Sequence, residues 1–138
     1  MKYKELLESW QAGGDLAPVT RFLGVRPLSI GEGRVRLAMS TTDAHLNPFG
    51  TVHGGLIAAF ADVALGCAMA TRLLDEELFA TAQQNITFLQ PVRECQLEGT
   101  ASVVQKTRAT GYVECQILDA NGRPVAHASC VCIISKHA

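Results

Sequence analysis

The sequence has no large excess of charge of either sign. Its 138 residues include 12 Lys and Arg against 13 Asp and Glu, a formal net charge of −1. A protein that binds the nucleic-acid backbone carries a strongly basic face, so this balance argues against a nucleic-acid partner. Hydrophobic residues make up 48% and charged residues 18%. That composition excludes a disordered chain and predicts a single domain over residues 1–138.

Several motifs of metal, cofactor and redox chemistry are also absent. The five cysteines are odd in number and form no Cys-x-x-Cys pair, so they predict neither a disulfide framework nor a zinc site. No Gly-x-Ser-x-Gly or Gly-x-Gly-x-x-Gly occurs, which leaves a serine hydrolase or a dinucleotide enzyme without support. We therefore expect no metal and no cofactor. Cys130 and Cys132 are two apart and are expected to be neighbouring core thiols on one face of a strand.

Long hydrophobic runs are missing as well. The longest apolar run, residues 56–70, has 15 residues and contains Asp62, whereas a membrane-spanning helix needs about 20. The first eight residues carry charges throughout and have no apolar segment of the kind found in a signal peptide. These absences predict a cytoplasmic protein without a membrane partner.

Hydrophobic periodicity predicts an α+β fold. Residues 3–10 have the spacing of a short amphipathic helix, and with a further helical turn they form an N-terminal helical segment, residues 1–22. One strand or two are then followed by a long apolar helix and a run of four more strands, the last two joined by a two-residue turn at Asn121-Gly122. The predicted bounds are 34–40 for the first strand, 54–74 for the long helix, and 79–89, 96–106, 111–119 and 123–135 for the later strands.

Consecutive strands favour an antiparallel sheet with the long helix packed on one of its faces. That helix is hydrophobic on nearly every side, and one curved sheet covers only about half of a helix. The remaining surface needs a second subunit or a ligand, which indicates an oligomer.

The start and the middle of the long helix carry the candidate chemistry. Gly54 and Gly55 open the helix, where unpaired N–H groups and the helix dipole favour an anion or a polarised carbonyl oxygen. The same pair is also compatible with a plain tight turn. Asp62 is the only charge between Thr51 and Thr71, and its helical neighbours are small, as a substrate channel requires. The alternative is a carboxylate held by the backbone or by an arginine.

Three more polar residues precede the helix. Asn47 is either an ordinary turn residue or an amide that donates to a carbonyl oxygen. His53 is expected to shape the helix entry or to contact a ligand, and His45 is expected to be structural. No Asp, Glu or Cys lies at ligand spacing beside the two histidines, which argues against a metal.

The stretch from Asn47 to Gly55, Asn-Pro-Phe-Gly-Thr-Val-His-Gly-Gly, together with Asp62, resembles the signature of the hotdog-fold acyl-CoA thioesterases of PaaI type. The segment Gln84–Pro91 is similar to the strand that follows the helix in that family. The resemblance covers residues 23–135. This chain carries the Asn/Asp version, whereas a neighbouring branch, typified by hydroxybenzoyl and dihydroxynaphthoyl thioesterases, has Gln and Glu at these places.

The resemblance implies a long helix wrapped by a curved antiparallel sheet, and homodimers that pair into homotetramers with each active site shared between two subunits. In this family's arrangement the Gly54 N–H and Asn47 hold the thioester carbonyl oxygen, and Asp62 of the partner subunit activates water or attacks directly. Thr81 matches a hydroxyl that orients the water. His53 and Gly55 are expected at the substrate.

The function expected on these grounds is hydrolysis of an aryl- or medium-chain acyl-CoA to the free acid and CoA. Two alternatives stay open. One is a hotdog enoyl-CoA hydratase or dehydratase, in which a histidine and a carboxylate move protons on the acyl chain. The other is a non-catalytic module that binds acyl-CoA.

Overall fold

The computed structural model describes residues 2–137, and none of the helices in this range is long and apolar enough to cross a membrane. Helices and strands are grouped along the chain, with four consecutive strands after the last helix, as expected of an α+β fold. The helices are α1 (Tyr3–Gln11), α2 (Pro18–Leu23) and α3 (Gly54–Ala70), with a short 3-10 turn at Asp43–His45. The strands are β1 (Val25–Gly31), β2 (Arg34–Ser40), β3 (Glu77–Phe88), β4 (Gln96–Lys106), β5 (Thr110–Leu118) and β6 (Pro124–Lys136).

The six strands form one antiparallel sheet in the order β1-β2-β4-β5-β6-β3. Helix α3 packs against it and touches five of the strands. Side chains of α3 such as Phe60, Ala64 and Leu65 are completely buried and form the centre of the core. The predicted layering, a sheet packed on a central helix, is confirmed.

The strands β2 and β4 have the predicted bounds, and the later strands agree within two residues. The end predicted for the long helix, Leu74, is wrong, since α3 ends at Ala70. Thr71 explains the stop. Its hydroxyl donates to the Ala68 carbonyl oxygen at 2.7 Å and accepts the Gly33 N–H at 2.7 Å, which ties the last turn to the loop between β1 and β2.

Two further features differ from the sequence expectation. The sequence left a second strand before α3 open and predicted no bounds for it. This strand, β1, contains Pro27 and a register shift beside it, and it lies at the edge of the sheet, where proline is tolerated. The turn between β5 and β6 spans residues 119–123 rather than two residues. The Asp119 Oδ1 accepts the N–H groups of Asn121 and Arg123, and Gly122 takes a φ of +78°, as in a hairpin with a glycine bulge.

Candidate active site

The entry of α3 presents one open backbone donor. His53 is the N-cap of the helix, and its Nδ1 accepts the Gly55 N–H at 2.8 Å. The Gly55 amide is therefore already used. The Gly54 N–H, by contrast, finds no acceptor among residues 2–137. An N–H of this kind at a helix N-terminus is positively polarised and suited to a developing oxyanion.

A buried histidine fixes the position of this entry. The His45 ring lies 2.8 Å from the Phe22 carbonyl oxygen through Nε2 and accepts the Thr42 N–H through Nδ1 at 3.0 Å. Its carbonyl oxygen in turn accepts the His53 N–H at 2.9 Å. Both ring nitrogens are thus occupied, and His45 acts on the site through its backbone. Within residues 2–137 no group of three His, Cys, Asp or Glu side chains is placed to hold a metal.

Asn47 shapes the loop before the helix. Its Oδ1 accepts the N–H groups of Phe49 at 2.9 Å and Thr51 at 3.1 Å, and its Nδ2 donates to the Thr51 hydroxyl at 2.8 Å. The turn interpretation of Asn47 therefore agrees with these contacts. An amide nitrogen carries two hydrogens, so one N–H of Asn47 stays available to a ligand.

Asp62 lies in the middle of α3 and is exposed in the single chain. The Thr81 hydroxyl on β3 donates to its Oδ1 at 3.4 Å, a long hydrogen bond. None of the ion pairs among residues 2–137 includes Asp62. The carboxylate is thus oriented by one hydroxyl but is not neutralised by a cation, as a base or nucleophile requires.

A cavity of about 320 Å³ opens beside this carboxylate. Its lining comes from α1, α2, the segment between them, α3 and β3. Tyr3 and Phe79 form one wall as an aromatic pair with ring centroids 5.3 Å apart. Cys67 lies at the cavity too, and burial, with a smaller contribution from Asp62, raises the pKa of this thiol to about 12. The thiol is therefore neutral, and among residues 2–137 Asp62 is the only charged residue that lines the cavity.

One chain does not bring the two groups of candidate residues together. Asp62 lies eight positions after Gly54 on the same helix, a rise of about 12 Å at 1.5 Å per residue. A thioester carbonyl held at Gly54 is therefore out of reach of the Asp62 in the same chain. Within one chain, Asp62 and Thr81 lie together at the middle of α3, whereas Asn47, His53 and Gly54 lie together at its N-terminus.

Sequence reasoning missed the side chains that surround these groups. The Phe88 ring lies over Gly54, so that a Cβ there would come within 3.3 Å of its Cζ. Tyr3 and Leu16, which line the cavity, belong to the N-terminal segment that the sequence only identified as helical. Their amphipathic spacing was visible, but the surface they cover depends on contacts far apart in sequence.

Comparison with known proteins identifies the superfamily of this chain. A family model described as "Thioesterase superfamily" matches residues 49–126, more than half of the chain. The chain belongs to this superfamily. The matched region contains α3 with Gly54 and Asp62, and it extends to Ala126 in β6.

Solved structures agree with this superfamily. A thioesterase family protein from Silicibacter pomeroyi has a TM-score of 0.87 at 23% identity, over 98% of this chain and 99% of that one. A putative thioesterase from Ralstonia eutropha, related to phenylacetic acid degradation, has a TM-score of 0.84 at 27% identity, over 93% and 98%. The predicted resemblance to hotdog-fold thioesterases is confirmed.

A curated relative is the putative esterase F42H10.6 of Caenorhabditis elegans, 29% identical over 93 residues. The match covers 67% of this chain and 54% of that protein. The chain thus spans about half the length of this curated relative.

Proposed function

We propose that this superfamily member hydrolyses acyl-CoA thioesters to the free acid and CoA. The observation that carries the proposal is the uncompensated Asp62 carboxylate at the mouth of an apolar cavity, on the helix whose N-terminus holds an open N–H at Gly54. In thioester hydrolysis negative charge develops on the carbonyl oxygen. A preorganised N–H that meets this charge lowers the barrier without reorganisation.

The active site is proposed to form between two copies of the chain. The strand β3 lies at an edge of the sheet, with β6 as its partner on the other side. From Leu78 to Phe88 it carries neither a charged residue nor a proline, which are the usual guards of an edge strand. An edge of this kind is a template for pairing with a second β3.

Antiparallel pairing of two β3 strands also brings together the two groups, Asp62 and Gly54, that are too far apart within one chain. Thr81 contacts Asp62 near one end of β3, and Phe88 covers Gly54 at the other. A register that sets Thr81 beside the partner's Phe88 brings each Asp62 towards the partner's Gly54. We propose this homodimer as the catalytic unit, and pairs of dimers as the homotetramer that the sequence resemblance implies.

Each candidate residue then has a role that follows from its contacts. Gly54 and the remaining Nδ2–H of Asn47 hold the carbonyl oxygen, while Asp62 of the partner subunit activates water or attacks the carbonyl carbon. Thr81 orients Asp62 and the water. His53 and Gly55 fix the backbone at the point where the thioester approaches. We place the reaction in the cytoplasm, in keeping with the free cysteines found within residues 2–137.

The contacts favour hydrolysis over hydration of an enoyl group. A hydratase needs a histidine that can take a proton opposite the carboxylate. The shared site brings the partner's His53 towards Asp62, but the Nδ1 of His53 already accepts the Gly55 N–H as the cap of α3, so this nitrogen is not free to act as a base. In a non-catalytic binding module Asp62 would have no catalytic role, and the protein would bind acyl-CoA without releasing thiol.

Two measurements test the proposal. Thiol release is followed over a panel of acyl-CoAs, with enoyl-CoA hydration measured in parallel. Release of thiol without hydration is expected. Hydration without thiol release, or saturable binding with neither product, contradicts it.

Subunit mixing tests the shared site. Chains with Asp62→Asn and chains with Gly54→Pro, each inactive alone, are co-expressed with different affinity tags, and the heterodimer is isolated. In a shared arrangement one site carries both changes and the other neither, so about half of the wild-type activity returns because the two sites are equivalent. A heterodimer as inactive as its parents places both groups in one chain and contradicts the dimeric site.

A further inference from the structure

The cavity beside Asp62 has an outer wall that the superfamily's helix and sheet do not supply. Tyr3, on α1, and Leu16, in the segment between α1 and α2, line the cavity together with Val63 and Gly66 of α3. The family model begins at residue 49, so this wall lies outside the matched region. We infer that the N-terminal segment, residues 3–20, is the specificity-determining wall of the acyl pocket and limits the substrate to uncharged acyl groups of moderate length. This inference rests on the proposed function.

The side of the pocket along α3 depends on the absence of a side chain at Gly66. Gly66 follows Asp62 by one helical turn, about 6 Å along α3, and faces the same side. The ring of Phe79 rests on it, since a Cβ at Gly66 would lie 3.4 Å from the Phe79 Cζ. The Tyr3 ring packs against Phe79 in turn. An acyl group whose carbonyl carbon is at Asp62 therefore extends towards Gly66 and ends at this aromatic pair.

The chemistry of the lining selects against a second charge on the acyl group. Thr20 reaches the cavity, but its hydroxyl donates to the Ala17 carbonyl oxygen at 2.7 Å and accepts the Ala17 N–H at 3.2 Å, so it is already satisfied. Cys67 is neutral, and no Lys or Arg lines the cavity within residues 2–137. A terminal carboxylate, as in a succinyl group, would meet no cation and would be repelled by Asp62.

The volume of the cavity determines how long an acyl chain it can hold. A dry cavity of about 150 Å³ holds benzene, so the 320 Å³ here accommodates an apolar group of roughly ten carbons on the same scale. Longer chains must displace the N-terminal wall or remain in water. Leu16 is the residue best placed to move this limit, because it is half-buried in a segment outside the helices and strands.

The test compares opposite changes at one position. kcat/KM is measured for saturated acyl-CoAs of increasing length and for succinyl-CoA in wild type, Leu16→Trp and Leu16→Ala. Leu28, exposed on β1 and outside the cavity lining, receives the same two substitutions as a control. We expect the preferred length to shorten with L16W, to lengthen with L16A and to stay unchanged in both Leu28 variants. Succinyl-CoA is expected to react at least about 100-fold more slowly than the best neutral substrate, the factor that a transfer penalty of about 2.7 kcal/mol gives.

A variant that merely folds less well loses activity with all substrates alike and leaves the preferred length in place. An unchanged length preference in both Leu16 variants overturns the inference, as does succinyl-CoA turnover equal to that of the neutral substrates. Binding of octanamide, an uncharged analogue, is measured separately by titration calorimetry with wild type and L16W. If no acyl-CoA releases thiol, the proposed hydrolysis fails. The pocket assignment still stands in that case if octanamide binds wild type and L16W weakens it at least tenfold, and it falls if the two bind alike.

Discussion

Two carboxylates, Asp62 in the middle of α3 and Glu77 at the start of β3, have opposite surroundings. Asp62 is exposed, has one hydroxyl at 3.4 Å and belongs to none of the ion pairs among residues 2–137. Glu77, at the start of β3, is 3% exposed. Its carboxylate accepts the Leu74 N–H at 2.8 Å and pairs with Lys106 at 2.9 Å.

This difference assigns a catalytic role to Asp62 and a stabilising role to Glu77. The Leu74 N–H first, and then the Lys106 ammonium, hold the pKa of Glu77 below its usual value. Such a group stabilises the fold and is chemically inert. Among residues 2–137, Asp62 accepts only one long hydrogen bond, from Thr81 to Oδ1, so its carboxylate stays accessible to a substrate or water. Four substitutions test this separation, and they are given in order of decreasing effect.

Asp62→Asn removes the negative charge and keeps the size of the side chain. We expect kcat to fall by about 10²–10⁴, the usual contribution of a general base, while the free energy of unfolding stays within about 0.5 kcal/mol, as for other surface substitutions. Thiol-release kinetics and urea unfolding measure the two quantities. Asp75→Asn, at an exposed ion pair with Lys2, is the control and should leave kcat unchanged. Near-normal turnover of D62N would remove Asp62 from the mechanism.

Gly54→Pro tests the open N–H without a change of helix geometry. Proline is favoured at the first helical position, and His53 already has the extended backbone, φ −58° and ψ 128°, that a residue before proline prefers. Removing one oxyanion donor is expected to lower kcat by about 10²–10³. Gly54→Ala also adds a carbon towards Phe88 but keeps the N–H, so it should lose much less. Equal losses in both variants would assign the effect to crowding at Phe88 rather than to the donor.

Thr81→Ala removes the hydroxyl that reaches Asp62. A hydrogen bond to a charged group contributes about 1.5–3 kcal/mol, but 3.4 Å is a long bond, so we expect roughly a tenfold loss in kcat. Thr81→Ser keeps the hydroxyl and should restore most of the rate. A pH–rate profile recorded for both variants shows whether the loss concerns the ionised form of the carboxylate. The role of Thr81 fails if Ala and Ser variants are equally active.

Glu77→Gln should affect stability and not turnover. Leaving Lys106 without its partner is expected to cost about 1.5–3 kcal/mol of unfolding free energy at neutral pH, with kcat unchanged. Because the pKa of Glu77 is lowered in the folded state, its contribution is present above the usual glutamate pKa and is lost as the pH falls through the folded value. Wild type should therefore lose stability as the pH falls below the usual glutamate range, and E77Q should show a flatter profile. Parallel pH curves for the two proteins would contradict this origin.

The sequence predicted the parts of the fold that depend on local pattern. Alternation predicted the bounds of β2, the predicted bounds of β4 are also correct, and a lone charge in an apolar helix singled out Asp62. The bounds of β1 were not predicted because proline is unusual within a strand. Pro27 is tolerated here only because β1 lies at the edge of the sheet. The end of α3 was predicted wrongly because the helix stops at Thr71, whose hydroxyl accepts a hydrogen bond from Gly33, a residue distant in sequence.

The candidate site divides in the same way. The turn residues, the glycines and the acid are all visible in one short stretch. The acyl pocket is not, because the pairing of Tyr3 with Phe79 joins residues that are far apart in sequence, and no spacing along the chain encodes that contact. Similarly, the contact of Phe88 with Gly54 becomes apparent only when β3 is placed beside α3.

The uncharged edge of β3 has a consequence for how the protein behaves at low concentration. If catalysis requires two β3 strands to meet, specific activity depends on how much protein is in the assay. Below the dissociation constant of the dimer, the rate should fall with the square of the chain concentration rather than in proportion to it. Dilution alone would then switch the activity off, and the separated chains would present the same bare strand to one another as an aggregation surface.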